Sequence, residues 1–237
     1  MSNTYFKFKQ FTIHQEKTAM KVCTDACILG AWFSAKIPNY STVLDIGSGT
    51  GLLMMMLAQR SQAEIHGIEI DPAAYEQLME NTSQNDWGAR LKAFHGDARL
   101  YPFPLKYDFI ISNPPFFHND LQSTSETEQI AKHSKLLTLE ALIHVIAGNL
   151  QPHGAFGILL PYHRWEYFDQ LANENNFSLT EKLFIKQSPK HPFFRAVLHY
   201  TRTPDHFAPA FELTIQHEDR TYTPEFVELM KDYYLYL

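Results

Sequence analysis

The sequence predicts an α/β fold, a doubly wound and mainly parallel sheet. Three observations carry that prediction. From Thr42 onward, short apolar runs rich in β-branched residues alternate with helical stretches, the pattern of βαβ units joined by right-handed crossovers. The residues at or just after the ends of successive strand runs carry chemistry: Asp45, Glu69, Asp97 and Asn113 stand in order, separated by 24, 28 and 16 residues. Near the end of the core, Leu179–Ile185 and Phe194–Tyr200 flank the Pro-containing connection Gln187-Ser188-Pro189-Lys190-His191-Pro192, which reads as an antiparallel pair.

Each element has a local justification. Tyr5-Phe6-Lys7-Phe8-Lys9-Gln10-Phe11 alternates, with Phe6 and Phe8 on one face and Lys7 and Lys9 on the other, so it reads as a short strand or extended arm. Thr24-Asp25 precedes Ala26–Trp32, a helix with Thr24 as N-cap; its free N–H groups can hold an anion such as a carboxylate. Thr42–Ile46 is a buried strand, Gly47-Ser48-Gly49-Thr50-Gly51 turns into the helix Leu52–Arg60, and Ile65–Glu69 is a second strand. Asp71-Pro72 opens a helix running to about Asn85. Leu91–His95 is a third strand, followed by Gly96-Asp97, and Phe109–Ser112 is a fourth. A long polar connection covers Phe117 to about Lys135; connections of that length usually serve function. Then come a helix at Thr138–Leu150, a strand at Ala155–Leu160, a helix at Tyr162–Glu174, the antiparallel pair, and an aromatic helix at Pro224–Leu237. The expected organisation is one domain, 1–237, with an N-terminal arm and helix (1–35), a core (42–202) and a C-terminal appendage (203–237).

Composition narrows the class. The chain has 237 residues, 45% of them hydrophobic. Its longest strongly apolar run, Leu52–Ala58, is far short of the roughly 20 residues a bilayer requires, so no membrane span is expected. Nothing near Met1 resembles a signal peptide. Cys23 and Cys27 are the only cysteines, which fits a reducing cytoplasm. They are too few for a zinc site, and their spacing suits a disulfide poorly. A net charge of −6 argues against a general nucleic-acid coat. Residues 182–202 run against that balance: they hold Lys182, Lys186, Lys190, Arg195 and Arg202 with no Asp or Glu, and Phe184, Phe193, Phe194 and Tyr200 are interleaved. Single-stranded nucleic-acid surfaces show this mixture. Lys7, Lys9, Lys186, Lys190 and Arg195 are therefore candidate RNA contacts, against the alternative that the aromatics are core and the charges a solvated face.

The strand-end residues have a chemical reading. A Gly-x-Gly-x-Gly turn lets the backbone approach a ligand closely. It lacks the Lys-Ser/Thr of a P-loop and the spacing of a dinucleotide fingerprint. Glu69 can accept both hydroxyls of a ribose, and Asp97 can accept from an adenine amino group beyond it. Asn113-Pro114-Pro115-Phe116 follows the fourth strand. Two prolines forbid a helix and a continued ladder, so the chain leaves the sheet in a stiff turn. That turn presents an amide, a backbone carbonyl and an aromatic face, a set that suits a planar conjugated –NH2. Two acceptors on its N–H bonds favour a pyramidal nitrogen whose lone pair can attack, while the ring fixes the approach. Any one of these features also reads as an ordinary loop; the ordered set does not.

Val43-Leu44-Asp45-Ile46-Gly47-Ser48-Gly49-Thr50-Gly51, Glu69, Asp97 and Asn113-Pro114-Pro115-Phe116 together resemble the class I S-adenosylmethionine-dependent methyltransferases of the amino-group type. The resemblance implies a Rossmann-like seven-stranded sheet with its terminal strand antiparallel, and S-adenosylmethionine as cofactor. It implies that Asp45, Gly47, Gly49 and Gly51 border the methionine moiety, Glu69 holds the ribose, Ile70 packs on adenine and Asp97 reads its amino group, with Thr24 as a further cofactor contact. Asn113, Pro114 and Phe116 are the catalytic set, with Asn113 also a cofactor contact. The flanks Phe6-x-Phe8-Lys9-Gln10-Phe11, Met20-Lys21-Val22-x-Thr24-Asp25, Leu29-Gly30-Ala31-Trp32 and Tyr233-Tyr234-Leu235 are similar to those of the tRNA1(Val) adenine-37 N6-methyltransferases. Phe116 departs from the Tyr common at its position, though stacking needs only a ring. The resemblance implies a cytoplasmic, monomeric enzyme with a tRNA partner, no membrane and no metal. Three other readings stay open: a protein glutamine-amide N5-methyltransferase, an rRNA guanine N2-methyltransferase, and a non-catalytic S-adenosylmethionine- or RNA-binding module.

Overall fold

The computed structural model describes residues 3–18, 20–115, 137–203 and 207–237. Ten strands are found among them: β1 (Tyr5–Lys7), β2 (Thr12–His14), β3 (Thr42–Ile46), β4 (Glu64–Glu69), β5 (Leu91–His95), β6 (Tyr107–Ser112), β7 (Leu150–Pro161), β8 (Ser178–Lys186), β9 (Phe193–Thr201) and β10 (Ala210–Thr214). The α-helices among the described residues are α1 (Thr24–Ser34), α2 (Leu52–Arg60), α3 (Pro72–Ser83), α4 (Leu139–Asn149), α5 (Trp165–Glu174) and α6 (Pro224–Met230). β1 and β2 form a small antiparallel hairpin; the other eight form one sheet, ordered β10-β8-β9-β7-β6-β3-β4-β5. β9 runs antiparallel to both β7 and β8, and the remaining pairs are parallel.

This is the expected doubly wound sheet with one strand more. β10, in the stretch expected to be an appendage, pairs with the outer edge of β8, Phe211 opposite Leu183 and Thr214 opposite Lys186. Its apolar signal is weak because an edge strand buries little; Leu213 is its one fully buried residue. Other boundaries also differ, β7 among them, which starts at Leu150 rather than Ala155. The terminal helix stops at Met230 rather than Leu237: beyond it Tyr233 and Tyr234 bond back to the Met230 carbonyl. Tyr162–Arg164 forms a 3-10 turn before α5.

Both faces of the sheet are covered. One carries α1, α2 and α6 with Phe8, Phe11, Tyr233 and Tyr234, and the other carries α4 and α5 with Phe156, Phe168, Phe177 and Tyr200. Leu52 through Ala58 of α2 are all buried, as a helix apolar on every side must be. The C-terminal residues seal α2: the Tyr233 hydroxyl donates to the Met56 carbonyl at 3.1 Å and Gln59 donates to the Asp232 carbonyl at 2.8 Å. The N-terminal arm lies against them through a Phe8–Tyr234 bridge and a 2.8 Å bond from Lys9 N–H to the Tyr233 carbonyl. The parallel registers set Ile46 beside Ile68 and Ser112, and Glu69 beside His95, so the carboxyl ends of four strands finish level. Because β9 is reversed, its first residues share that edge, with Arg195 opposite Pro161.

Candidate active site

At the carboxyl edge lies a cavity of about 620 Å3, within the roughly 300–1,000 Å3 usual for small-molecule sites. Its wall includes Gly47, Ser48, Gly49 and Thr50 of the turn after β3, Glu69 at the end of β4 with Ile70 after it, Asp97 and Arg99 after β5, and Asn113 and Pro115 after β6. The topology thus brings the predicted groups from four separate strands to one space.

The glycine turn is built by conformation. Gly47, Gly49 and Gly51 have φ of +76°, +54° and +85°, the left-handed region where a side chain is strained. The N–H groups of Gly47 and Ser48 both donate to the Ile68 carbonyl, at 3.0 and 3.1 Å, which fastens the turn to β4. Glu69 completes the clamp: Oε2 accepts from Gly49 N–H at 2.8 Å and Oε1 from Asp71 N–H at 2.9 Å. Each oxygen keeps further acceptor capacity, which a vicinal diol can use. Asp71 then caps α3, accepting from Ala74 N–H at 2.8 Å, and Pro72 follows at the first position.

Three buried acceptor groups at or behind the wall have no partner among the described residues: the Asn113 Oδ1, the Ser48 hydroxyl and both oxygens of Asp45. Buried polar atoms are normally hydrogen-bonded; Asn113 and Ser48 line the cavity, so theirs are groups left for a ligand. Asp45 has no solvent exposure, and burial, with the Glu69 charge beside it, pushes its carboxyl well above the usual carboxylate range. An orphaned acid next to a second acid suits a cationic ligand. The donor set fits S-adenosylmethionine, whose sulfonium and ammonium are positive, whose ribose carries a diol and whose adenine carries an amine.

Other predicted residues are placed differently. Thr24 is not the N-cap of α1: Cys23 is, without a side-chain cap, and Thr24 does not line the cavity. The N-terminus of α1 already has an acid in it, Asp25, whose Oδ1 accepts from Ala26 N–H at 3.0 Å; the anion reading of Thr24 does not hold there. Cys23 and Ala26 line the cavity in its place. Asp45 and Gly51 stand behind the wall rather than in it, and Pro114 is buried. Phe116 lies outside the described residues.

The basic stretch is largely paired within the chain. Lys186 lies 3.3 Å from Glu212, Lys190 lies 2.8 Å from Glu218, and Arg195 Nε donates to Asp25 Oδ2 at 2.6 Å. Lys182 sits over the Trp165 ring and Arg202 over Phe177. Lys9 bonds to the Lys231 carbonyl and Lys7 is exposed on β1; neither lines the cavity. The acids that neutralise the stretch come from α1 and from the β10 region, outside the window in which the basic run was read.

Two groups of site residues escaped the sequence reading. Lys17, Thr18, Met20, Lys21 and Val22 line one side of the cavity as a strap. It is held by Gln15, whose Oε1 accepts from Val22 N–H at 2.8 Å, and by Gln77, whose Oε1 accepts from Lys17 N–H at 3.3 Å. Arg99 was also missed, though it stands two residues past Asp97. No three His, Cys, Asp or Glu side chains cluster as a metal site among the described residues, and no helix there is long and apolar enough to cross a membrane.

The methyltransferase small domain model matches residues 28–177. A tRNA1(Val) (adenine(37)-N6)-methyltransferase of Dyadobacter fermentans is 40% identical over 98% of both chains. The chain belongs to this methyltransferase family. The enzyme of the same description from Cytophaga hutchinsonii is 38% identical over the full length of both. Among solved structures, a predicted O-methyltransferase of Agrobacterium tumefaciens superimposes with a TM-score of 0.70 at 16% identity, covering 88% of this chain and 96% of that one. The CcbJ methyltransferase of Streptomyces caelestis gives 0.55 at 15% identity, covering 78% and 94%. These structures share the fold; the family rests on the sequence relatives, and membership in it makes S-adenosylmethionine the cofactor.

Proposed function

We infer that this chain methylates N6 of adenine-37 in the anticodon loop of tRNA1(Val), using S-adenosylmethionine. The observation that carries the reading is Asn113: a buried amide oxygen with no partner, in the cavity wall, on a turn stiffened by Pro114 and Pro115. Such an acceptor matches the amine of a base that has left its stack. An anticodon-loop base is largely unpaired, so extruding it costs only a few kcal/mol.

Bound S-adenosylmethionine supplies an electrophilic sulfonium methyl. Asn113 Oδ1 and the Pro114 carbonyl accept the two N6–H bonds, which turns the nitrogen lone pair out of conjugation and aims it. Phe116 offers the stacking ring. Glu69 holds the ribose and Asp97 the adenine of the cofactor, Ile70 packs on that ring, and Asp45 with Gly47, Gly49 and Gly51 borders the methionine part. No general base is required, since the proton becomes acidic once the nitrogen is alkylated and passes to water; alignment provides most of the rate. Two free cysteines, Cys23 and Cys27, fit the reducing cytoplasm where tRNA is handled.

The test is incubation with tritiated S-adenosylmethionine and an unmodified tRNA1(Val) transcript, followed by nucleoside analysis. The expected product is N6-methyladenosine, absent from a transcript with guanine at position 37. Label in N2-methylguanosine or in a glutamine amide, or no transfer at all, overturns the reading.

A further inference from the structure

Asp97 is the acceptor expected for the cofactor's adenine amine, yet its carboxylate is already engaged. Oδ1 accepts from both Arg99 N–H and Arg99 Nε at 2.9 Å; Oδ2 lies 3.0 Å from Nε and 2.5 Å from Nη2. The pair is side-on and bidentate, the strongest form of carboxylate recognition. The Leu100 and Tyr101 N–H groups both donate to the Asp97 carbonyl at 3.0 Å, so the backbone of the turn is fixed as well. Both Asp97 and Arg99 line the cavity.

A carboxylate offers about four acceptor sites. Arg99 brings three N–H groups to them, the backbone N–H on Oδ1, Nη2 on Oδ2 and Nε shared between the two oxygens, which leaves capacity for one more donor. We propose that Arg99 is a positioning residue for cofactor recognition: its guanidinium locks the Asp97 carboxylate so that its one remaining acceptor site is presented to an exocyclic amine. The inference rests on the reading that adenine lies at Asp97. Without Arg99 the carboxylate, about one-fifth exposed, turns freely and shares its lone pairs with water. With it, the acceptor is fixed and cannot become a donor. The Arg99 hydrogen bond holds the Asp97 carboxyl below the usual carboxylate range, which keeps it acceptor-only. A locked acceptor favours a 6-amino purine and rejects a 6-oxo purine, whose own lone pairs face it.

The experiment titrates S-adenosylhomocysteine and S-inosylhomocysteine into the full chain by calorimetry, for wild type, Arg99→Ala, Arg99→Lys and Asp97→Asn. Wild type is expected to prefer the adenine form. Arg99→Ala should weaken it by about tenfold and collapse the ratio between the two ligands, with kcat at saturating S-adenosylmethionine nearly unchanged. Arg99→Lys restores a charge without the fork and should recover part of the affinity. If Arg99→Ala lowers the melting temperature and both affinities alike, keeping the ratio, Arg99 is structural only and the proposal fails. If Asp97→Asn erases the ratio while Arg99→Ala does not, the adenine placement stands and the role of Arg99 falls. If Asp97→Asn also leaves the ratio intact, the placement itself is wrong.

Discussion

Asn81 ties the N-terminal hairpin to the cofactor turn. Its Nδ2 donates to the Thr50 carbonyl at 2.8 Å and to the His14 carbonyl at 2.9 Å, while its Oδ1 accepts from His14 N–H at 3.0 Å. The side chain is buried, and Thr50 lines the cavity. Asn81→Ala leaves buried backbone groups without partners, so it should cost about 2–3 kcal/mol in denaturant unfolding. Because the loss falls on the turn, the KM for S-adenosylmethionine should rise more than kcat falls.

Asn113→Ala separates binding from chemistry. In the proposed mechanism it removes an acceptor used chiefly by the attacking amine. Single-turnover rates should drop by roughly 100-fold or more, with S-adenosylhomocysteine affinity close to wild type. A variant that turns over at a near-normal rate refutes the assigned role.

The glycines of the turn should divide by what surrounds them. A Cβ on Gly51 would stand 2.6 Å from Leu78 Cδ1 at a φ of +85°, so Gly51→Ala should destabilise the fold by about 2 kcal/mol. A Cβ on Gly49 meets nothing within 4 Å, but the residue lines the cavity. Gly49→Ala should therefore unfold only slightly more easily, about 1 kcal/mol for its positive φ, while losing most of its cofactor affinity. Comparing melting temperature with ligand titration for the two variants checks the contrast.

The basic residues should divide in the same way. The Lys190–Glu218 pair is exposed on both sides and worth little to the fold. Lys190→Ala should leave stability unchanged and, if Lys190 meets a phosphate, reduce the salt slope of tRNA binding by about one. Arg195 answers the buried Asp25, so Arg195→Ala should lower the melting temperature by several degrees.

Acid sensitivity has a local source in Glu181. Burial alone would raise its carboxyl, but His199 and Lys36 more than offset that and hold it at about 2, down from 4.5. Lys36 Nζ lies 2.9 Å from Oε1 and His199 Nδ1 3.5 Å from it. A carboxyl depressed on folding stabilises the native state above the unfolded value, and that contribution fades as pH falls from about 4.5 toward about 2. Glu181→Gln should thus cost on the order of 3 kcal/mol at pH 6 and much less at pH 2.5, read from urea melts at the two pH values.

Much of the site was legible because its signals are local. Apolar runs of strand length mark where strands end, and glycines mark where positive φ is needed; a parallel sheet then delivers Gly47, Gly49, Glu69, Asp97 and Asn113 to one edge. β10 was illegible because an edge strand buries only Leu213. The Thr24 cap was misplaced because a residue's cap propensity does not say where the first helical turn begins. The basic run misled because its counter-charges lie elsewhere in the chain: Arg195 finds Asp25 at a separation of 170 residues.

The amino-acid order by itself determined which groups stand at the strand ends and how stiffly Pro114 and Pro115 present Asn113, since period and turn chemistry act over a few residues. Only the folded chain decided which charges are spent on one another, that Lys17, Thr18 and residues 20–23 close one side of the cavity, and that Arg99 pairs with Asp97. Those outcomes depend on which surfaces burial presses together, and pairing at a distance leaves no periodic trace in the sequence.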